Sequence, residues 1–87
     1  MSSEYILVDL DKEQKSIVLE KASFFVQDSG TLDDLNNNRK KWIRFRSMAL
    51  PDVIGELSYY YNRSSNDYES MLLDELISHL EYYEENG

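Results

Sequence analysis

Two short segments of the chain have the sequence pattern of β-strands: residues 5–10 are rich in β-forming residues, and residues 41–46 alternate between the two sides of an extended chain. In residues 5–10, Ile6 and every second residue after it are apolar. In residues 41–46, Ile43 and Phe45 share one side of an extended chain, and charged or aromatic residues occupy the other. Because the side chains of a strand point alternately to its two faces, the pattern predicts a small two-stranded sheet with one apolar face.

Three longer segments space their apolar residues three or four apart, which is typical of amphipathic helices. They cover approximately residues 11–27, 51–62 and 67–84. Asp28–Gly30 provides a stop signal after the first segment, because a glycine readily ends a helix. The sequence therefore predicts three helices in addition to the two strands.

Each predicted helix begins with a recognisable start signal. Asp11 followed by Gln14, and Asn66 followed by Glu69, have the spacing of a capping box, in which two side chains satisfy backbone N–H groups at a helix start. Pro51 suits the first position of a helix, where a backbone N–H is not needed. These signals support the predicted starts of all three helices.

Residues 31–49 allow two interpretations. In the first, Thr31 caps a further helical turn over 31–35, and Asn36–Asn38 forms a loop because asparagine has poor helix propensity. In the second, 31–49 is one helix with apolar residues at a spacing of seven. The first predicts an α+β fold with the sheet covered by three helices, and the second predicts an all-α four-helix bundle. We expect the α+β fold, as a single domain formed by residues 1–87.

The chain resembles itself when it is shifted by 35 residues. The segment with the first predicted strand and helix then lies over the segment with the second strand and the helix that follows it. The similarity indicates either an internal duplication or shared helix periodicity. It also matches Asp9 and Asp11 with Arg44 and Arg46, so we expect opposite charges to face each other across the two strands.

The net charge of −8 is concentrated in the second half of the chain. Residues 1–46 carry eight carboxylates and eight Lys or Arg, whereas residues 47–87 carry nine carboxylates against Arg63 alone. Six of the seven tyrosines also lie in residues 47–87. Negative charge beside amphipathic aromatic side chains favours recognition of a basic protein partner, and it disfavours nucleic acid and anionic membranes.

The composition also limits the class of protein. The chain contains no cysteine, and its longest apolar run is the four residues Tyr5–Val8. Neither a disulfide framework nor a membrane span is therefore expected. Because Met1–Glu4 lacks the basic region that opens a signal peptide, we expect a cytoplasmic protein.

The sequence offers no grouping of residues that favours catalysis. His79 is the single histidine, and no potential nucleophile or second histidine stands at a useful spacing from it. Carboxylate pairs such as Asp74–Glu75 are sequence neighbours, which diverge on a helix instead of converging on one substrate or ion. We expect neither an enzyme nor a cofactor or metal site, and we expect His79 to be a surface or boundary residue.

The main hypothesis is a small acidic protein-binding module, a stoichiometric inhibitor or regulator. Its composition resembles that of inhibitors such as nuclease immunity proteins and DNA mimics. Tyr59–Tyr61 cannot all face the core, because consecutive helix residues diverge by about 100°. We expect a basic protein surface to be contacted by residues of the last two helices, namely Tyr59, Tyr68, Tyr82, Asp67, Glu75, Glu81 and Glu85.

Two alternatives belong to other functional classes. A nucleic-acid accessory protein would use the basic segment 39–46, whose cations and tryptophan can contact phosphates and stack on bases. Its candidate residues are Arg39, Lys40, Lys41, Trp42, Arg44 and Arg46. We expect these cations to pair first within the chain, with Asp9, Asp11 and the C-terminal carboxylates. A structural subunit or homodimer would instead cover its exposed tyrosines with a second copy.

Overall fold

The computed structural model describes residues 5–86 and shows an α+β fold, as predicted. In chain order the elements are strand β1 (Tyr5–Asp9), helix α1 (Lys12–Lys21), a 3₁₀ turn (Ser23–Phe25), helix α2 (Ser29–Asn36), strand β2 (Trp42–Arg46), helix α3 (Leu50–Arg63) and helix α4 (Asp67–Asn86). Both predicted strands and all three predicted helices are present. The structure adds α2 as a fourth helix, and the all-α alternative is wrong.

The two strands form an antiparallel sheet with one buried face. Val8 lies opposite Ile43, and the N–H of Leu10 extends the pairing by donating to the carbonyl of Lys41 at 2.9 Å. Val8 and Ile43 are fully buried. The alternation of apolar residues therefore predicted the inward face of each strand correctly.

The predicted attraction of Asp9 and Asp11 to Arg44 and Arg46 across the sheet is wrong. The observed register places Arg44 opposite Leu7, and Arg46 opposite Tyr5. A shift of the chain by 35 residues matches the strands in the same direction, whereas antiparallel pairing runs them in opposite directions. The internal similarity itself stays a prediction.

The segment between the strands contains two differences from the predicted helices. The helix predicted over 11–27 ends at Lys21 and gives way to the 3₁₀ turn. The expected stop signal acts as a start signal, because the Asp28 carboxylate accepts the N–H of Thr31 at 3.2 Å and caps α2. The predicted helical turn at 31–35 is therefore confirmed, but its cap is Asp28 and not Thr31.

The hydrophobic core lies between the sheet and the helices. The helices α3 and α4 pack against each other and contribute Leu50, Val53, Leu57, Leu73, Leu76 and Leu80, all of them fully buried. Full burial of one such aliphatic side chain stabilises a fold by about 1.5–3 kcal/mol. Within residues 5–86, none of the helices combines the length and the apolar character that a membrane crossing requires.

Candidate protein-binding surface

Helix α4 begins at a capping side chain, as the sequence predicted. The Asn66 side-chain oxygen accepts the N–H of Glu69 at 3.0 Å. The Glu69 carboxylate does not complete the capping box, because it accepts the Ser64 hydroxyl at 3.0 Å and forms an ion pair with Lys21 at 3.0 Å. These contacts bind the start of α4 to the preceding loop and to α1.

The inward side of α4 is held by a polar contact as well as by apolar packing. The Tyr83 hydroxyl donates to the Asp9 carboxylate at 3.0 Å, and His79 Nε2 lies 2.7 Å from the Asp9 carbonyl and 3.1 Å from its carboxylate. A carbonyl can only accept, so Nε2–H is the donor in this contact. Burial opposes ionisation of Asp9, but the Tyr83 hydrogen bond and the His79 charge outweigh it and lower the pKa of Asp9. His79 is thus a boundary residue that helps to fix the rotation of α4 about its axis.

The opposite side of α4 presents nine exposed residues in three rows, which we call the acidic α4 face. Each row repeats every seven residues, so it runs almost along the helix axis. The face spans about 27 Å, from 18 steps of about 1.5 Å each. Its rows are Asp67, Asp74 and Glu81; Met71, Ser78 and Glu85; and Tyr68, Glu75 and Tyr82.

The five carboxylates of the acidic α4 face are not neutralised within the described part of the chain. No Lys, Arg or His among residues 5–86 forms an ion pair with any of them. The last turn of α4 also contains no basic residue, although Glu84 and Glu85 lie there. Because the C-terminal end of a helix carries partial negative charge, Glu84 and Glu85 occupy positions that favour cations.

Large side chains alternate with the charges on the acidic α4 face. Tyr68, Met71 and Tyr82 are 59%, 49% and 61% exposed. The Tyr68 hydroxyl donates to the Glu13 carboxylate at 3.1 Å, which raises the pKa of Tyr68, and the Tyr82 ring packs edge-on against Tyr83 with centroids 5.3 Å apart. Both tyrosine rings are therefore held in place while they remain exposed.

Six of the seven residues predicted to contact a partner lie on the acidic α4 face. The seventh, Tyr59, is half-exposed on α3, where its ring packs edge-on against Tyr60 and lies 4.6 Å from the Arg63 guanidinium carbon. Three members of the face, Met71, Asp74 and Ser78, were not among the predicted contact residues. The seven-residue spacing, which relates Met71 and Ser78 to Glu85 and relates Asp74 to Glu81, was the signal that could have revealed them.

The basic segment is bound largely by carboxylates of α2 and its cap. The Arg44 side chain donates to both oxygens of Asp34, at 2.9 and 3.2 Å, and the Arg44 backbone N–H donates to Asp34 at 3.0 Å. Lys40 lies 3.6 Å from the same carboxylate, and Arg46 donates to Asp28 at 3.0 Å. Burial opposes ionisation of both aspartates, but these hydrogen bonds lower the pKa of each. Three cations of the basic segment therefore pair within the chain, as expected. Their partners are Asp28 and Asp34, and not the predicted Asp9, Asp11 and C-terminal carboxylates.

The remaining candidate nucleic-acid residues of the basic segment are exposed. Arg39, Lys41 and Trp42 are exposed, and neither cation forms an ion pair with another residue between Tyr5 and Asn86. The candidate nucleic-acid surface is therefore divided, with three of its five cations engaged by aspartates. No group of three or more His, Asp or Glu side chains in the described region is arranged to hold a metal ion.

Comparison of the chain with family models, with curated proteins and with solved structures finds no significant match. A functional assignment therefore depends on the geometry and charge of the surfaces themselves. The acidic α4 face is the surface on which most of the predicted contact residues come together.

Proposed function

We propose that the chain is a small protein-binding module, an inhibitor or regulator, that places the acidic α4 face on a basic surface of another protein. The observation that carries the proposal is the unfavourable electrostatic arrangement of this helix. Glu81, Glu84 and Glu85 are three and four residues apart, at the helix end that favours cations.

The size of this effect indicates what a partner would gain. A charge of the wrong sign in a terminal helical turn costs about 0.3–1 kcal/mol, and a like-charge pair three or four residues apart costs about 0.2–0.5 kcal/mol. A cationic side chain placed against Glu85 relieves both terms at once. These charges destabilise the unbound helix. Binding a cation removes this destabilisation, and the free energy recovered contributes to the affinity of the complex.

The exposed aromatic side chains supply the contact area that carboxylates lack. Tyr68 and Tyr82 are 14 residues apart on one row, so about 21 Å separates them along the helix. Their contacts with Glu13 and Tyr83 restrict their rotation before binding. Tyrosines of this kind commonly dominate interface energetics, because they bury a large area at a low cost in conformational entropy.

The charge of the face also selects the kind of partner. A second copy of the chain would bring five more carboxylates against the same five, and like charges placed face to face oppose association. A basic surface would instead attract the face over roughly 8–10 Å at physiological salt, which increases the rate of encounter. The charges therefore set the association rate, and the tyrosines slow dissociation.

The proposal is tested by capture of a partner from an extract of the source cells at low salt, followed by elution at increasing salt. We expect wild-type protein to retain a specific partner that high salt releases. Glu81→Gln/Glu85→Gln should lose it, whereas Glu20→Gln/Asp33→Asn, which removes equal charge from exposed positions elsewhere, should retain it. Tyr68→Ala/Tyr82→Ala should also lose it, with Tyr61→Ala as the control on α3.

Two outcomes would overturn the proposal. One is a specific partner that remains bound to Glu81→Gln/Glu85→Gln as tightly as to the wild type. The other is a partner whose retention does not change between low and high salt, because an interface with five unpaired carboxylates must be sensitive to screening.

A further inference from the structure

A cleft of about 390 Å³ opens where the start of α1, the loop before β2 and the middle of α4 meet. It shares no residue with the acidic α4 face. Five of the nine Lys and Arg residues of the chain line it: Lys12, Lys15, Arg39, Lys40 and Lys41. A concentration of cations in one concavity is unusual in a chain with a net charge of −8.

Lys15 is the innermost of these cations. Its side chain is only 5% exposed, and its ammonium group donates to the carbonyls of Asn37 and Lys40, both at 2.8 Å. No carboxylate in residues 5–86 forms an ion pair with it. An ammonium group has three N–H donors, so one is left for a further acceptor.

A buried cation without a counterion is costly, because burial removes its hydration and two neutral carbonyls do not cancel its charge. The two hydrogen bonds also hold the loop at Asn37 and Lys40 against α1. This arrangement positions Arg39 and Lys41, the neighbours of Lys40 in sequence, at the rim of the cleft. The fold thus uses a charged side chain to hold the loop that carries further positive charge.

Two carboxylates also line the cleft, but each is engaged with other groups. Asp11 accepts the Gln14 backbone N–H at 2.8 Å as the cap of α1. Asp9 accepts the Tyr83 hydroxyl and contacts His79. Lys12, like Arg39 and Lys41, forms no ion pair in the part of the chain that the structure describes. The lining therefore has positive charge that its own acidic residues do not neutralise.

We propose that this cleft binds a small anion with a phosphate group, either inorganic phosphate or a phosphorylated metabolite. Lys15 supplies the inner charge, and Arg39 and Lys41 supply donors at the rim. Phosphate suits these donors because it accepts several charge-assisted hydrogen bonds at once, and arginine can bind it in a bidentate manner. The cleft volume lies within the range of about 300–1,000 Å³ that is usual for small-molecule sites. Since these cations converge on one concavity instead of forming an extended surface, the site favours a compact anion over a nucleic acid.

The test is an NMR titration of the whole chain with inorganic phosphate at constant ionic strength, with chloride as the balancing anion. We expect saturable shifts of amide signals in residues 37–41 and at the start of α1. Arg39→Gln and Lys41→Gln should each weaken phosphate binding about tenfold, because each removes a charge-assisted hydrogen bond. The control is Arg63→Gln, which removes the same charge from outside the cleft and should leave the affinity unchanged.

The buried position is tested with Lys15→Gln, which should abolish the saturable shifts. If this variant does not fold, the two rim variants decide the result, because their side chains are exposed. Phosphate that causes no saturable shift would overturn the proposal, as would equal weakening by Lys41→Gln and Arg63→Gln. A single-stranded oligonucleotide that binds more tightly than phosphate, and loses this affinity in Lys41→Gln, would overturn the assignment to a small ligand.

Discussion

The contact between Asp34 and Arg44 makes a sharp prediction about stability. Asp34 is only 2% exposed, and its two oxygens accept three hydrogen bonds from Arg44, while Lys40 lies nearby. One of these bonds comes from the backbone N–H of β2, so the carboxylate also binds α2 to the strand. The substitution Asp34→Asn keeps the shape of the side chain and removes its charge.

The expected loss follows from the change in hydrogen-bond type. A bond to a charged group contributes about 1.5–3 kcal/mol, whereas a neutral one contributes about 0.5–1.5 kcal/mol. Because the Asn side chain has a single acceptor oxygen and an NH2 group that only donates, it cannot accept from Arg44 at both positions; at least one charge-assisted hydrogen bond is lost, and we expect a loss of about 2–3 kcal/mol. This is less than the roughly 3–5 kcal/mol for breaking a fully buried ion pair, because the 41% exposed side chain of Arg44 can turn to water. Out of a total stability of about 5–15 kcal/mol, the loss is large.

The assay is equilibrium unfolding in urea, followed by circular dichroism and by the fluorescence of Trp42, the single tryptophan. Coincident transitions of the two signals establish that one free energy describes unfolding. The control is Asp33→Asn at the neighbouring exposed position, which should change the free energy of unfolding by less than about 0.5 kcal/mol. Equal effects of Asp33→Asn and Asp34→Asn would refute the structural role of Asp34.

Three further predictions concern pH, capping and the charge of α4. Because the pKa values of Asp28 and Asp34 are lowered in the folded chain, their stabilisation is fully present above the ordinary value of 3.8 and is lost as the pH falls through the folded values. Urea unfolding at a series of pH values should therefore show decreasing stability below about pH 4, and a constant free energy down to pH 2 would contradict this. The substitution Asp11→Ala removes the cap of α1 and should cost about 1 kcal/mol in the same unfolding assay, whereas no change would show that the capping box contributes nothing. Glu84→Lys should raise the Tm in a low-salt thermal melt, and this gain should shrink at high salt; an unchanged or lower Tm would argue against electrostatic strain at the end of α4.

Much of the fold could be predicted because its local signals agree with its tertiary contacts. The pattern of residues around Val8 and Ile43 identified the inward face of the sheet, where both side chains are fully buried. Asp11 and Gln14 form both hydrogen bonds of the capping box that their spacing predicted. At these positions the local sequence was sufficient.

The remaining features depend on contacts between distant segments. Asp28 belongs to a stretch that can end one helix or begin the next, and its bonds to Tyr5, Thr31 and Arg46 decide for the second role. The pairing of Arg44 with Asp34 likewise requires the direction of the strands, which side-chain alternation does not reveal. Local patterns could not predict either contact.

The candidate surfaces show the same division. Helical periodicity was enough to place Tyr68, Glu75 and Tyr82 on one row of α4, since a single regular helix carries them. The phosphate cleft was not predicted, because it combines residues from α1, the loop before β2 and α4. The burial of Lys15 became apparent only with the loop carbonyls in place.

We propose that the acidic α4 face provides the electrostatic attraction between this chain and a basic partner. The most direct test is the association rate constant of the captured partner, measured as salt increases. We expect a rate that falls steeply with salt for the wild type and for Glu20→Gln/Asp33→Asn, and a lower rate with a weaker salt dependence for Glu81→Gln/Glu85→Gln. Equal rates and equal salt dependence for all three proteins would contradict it.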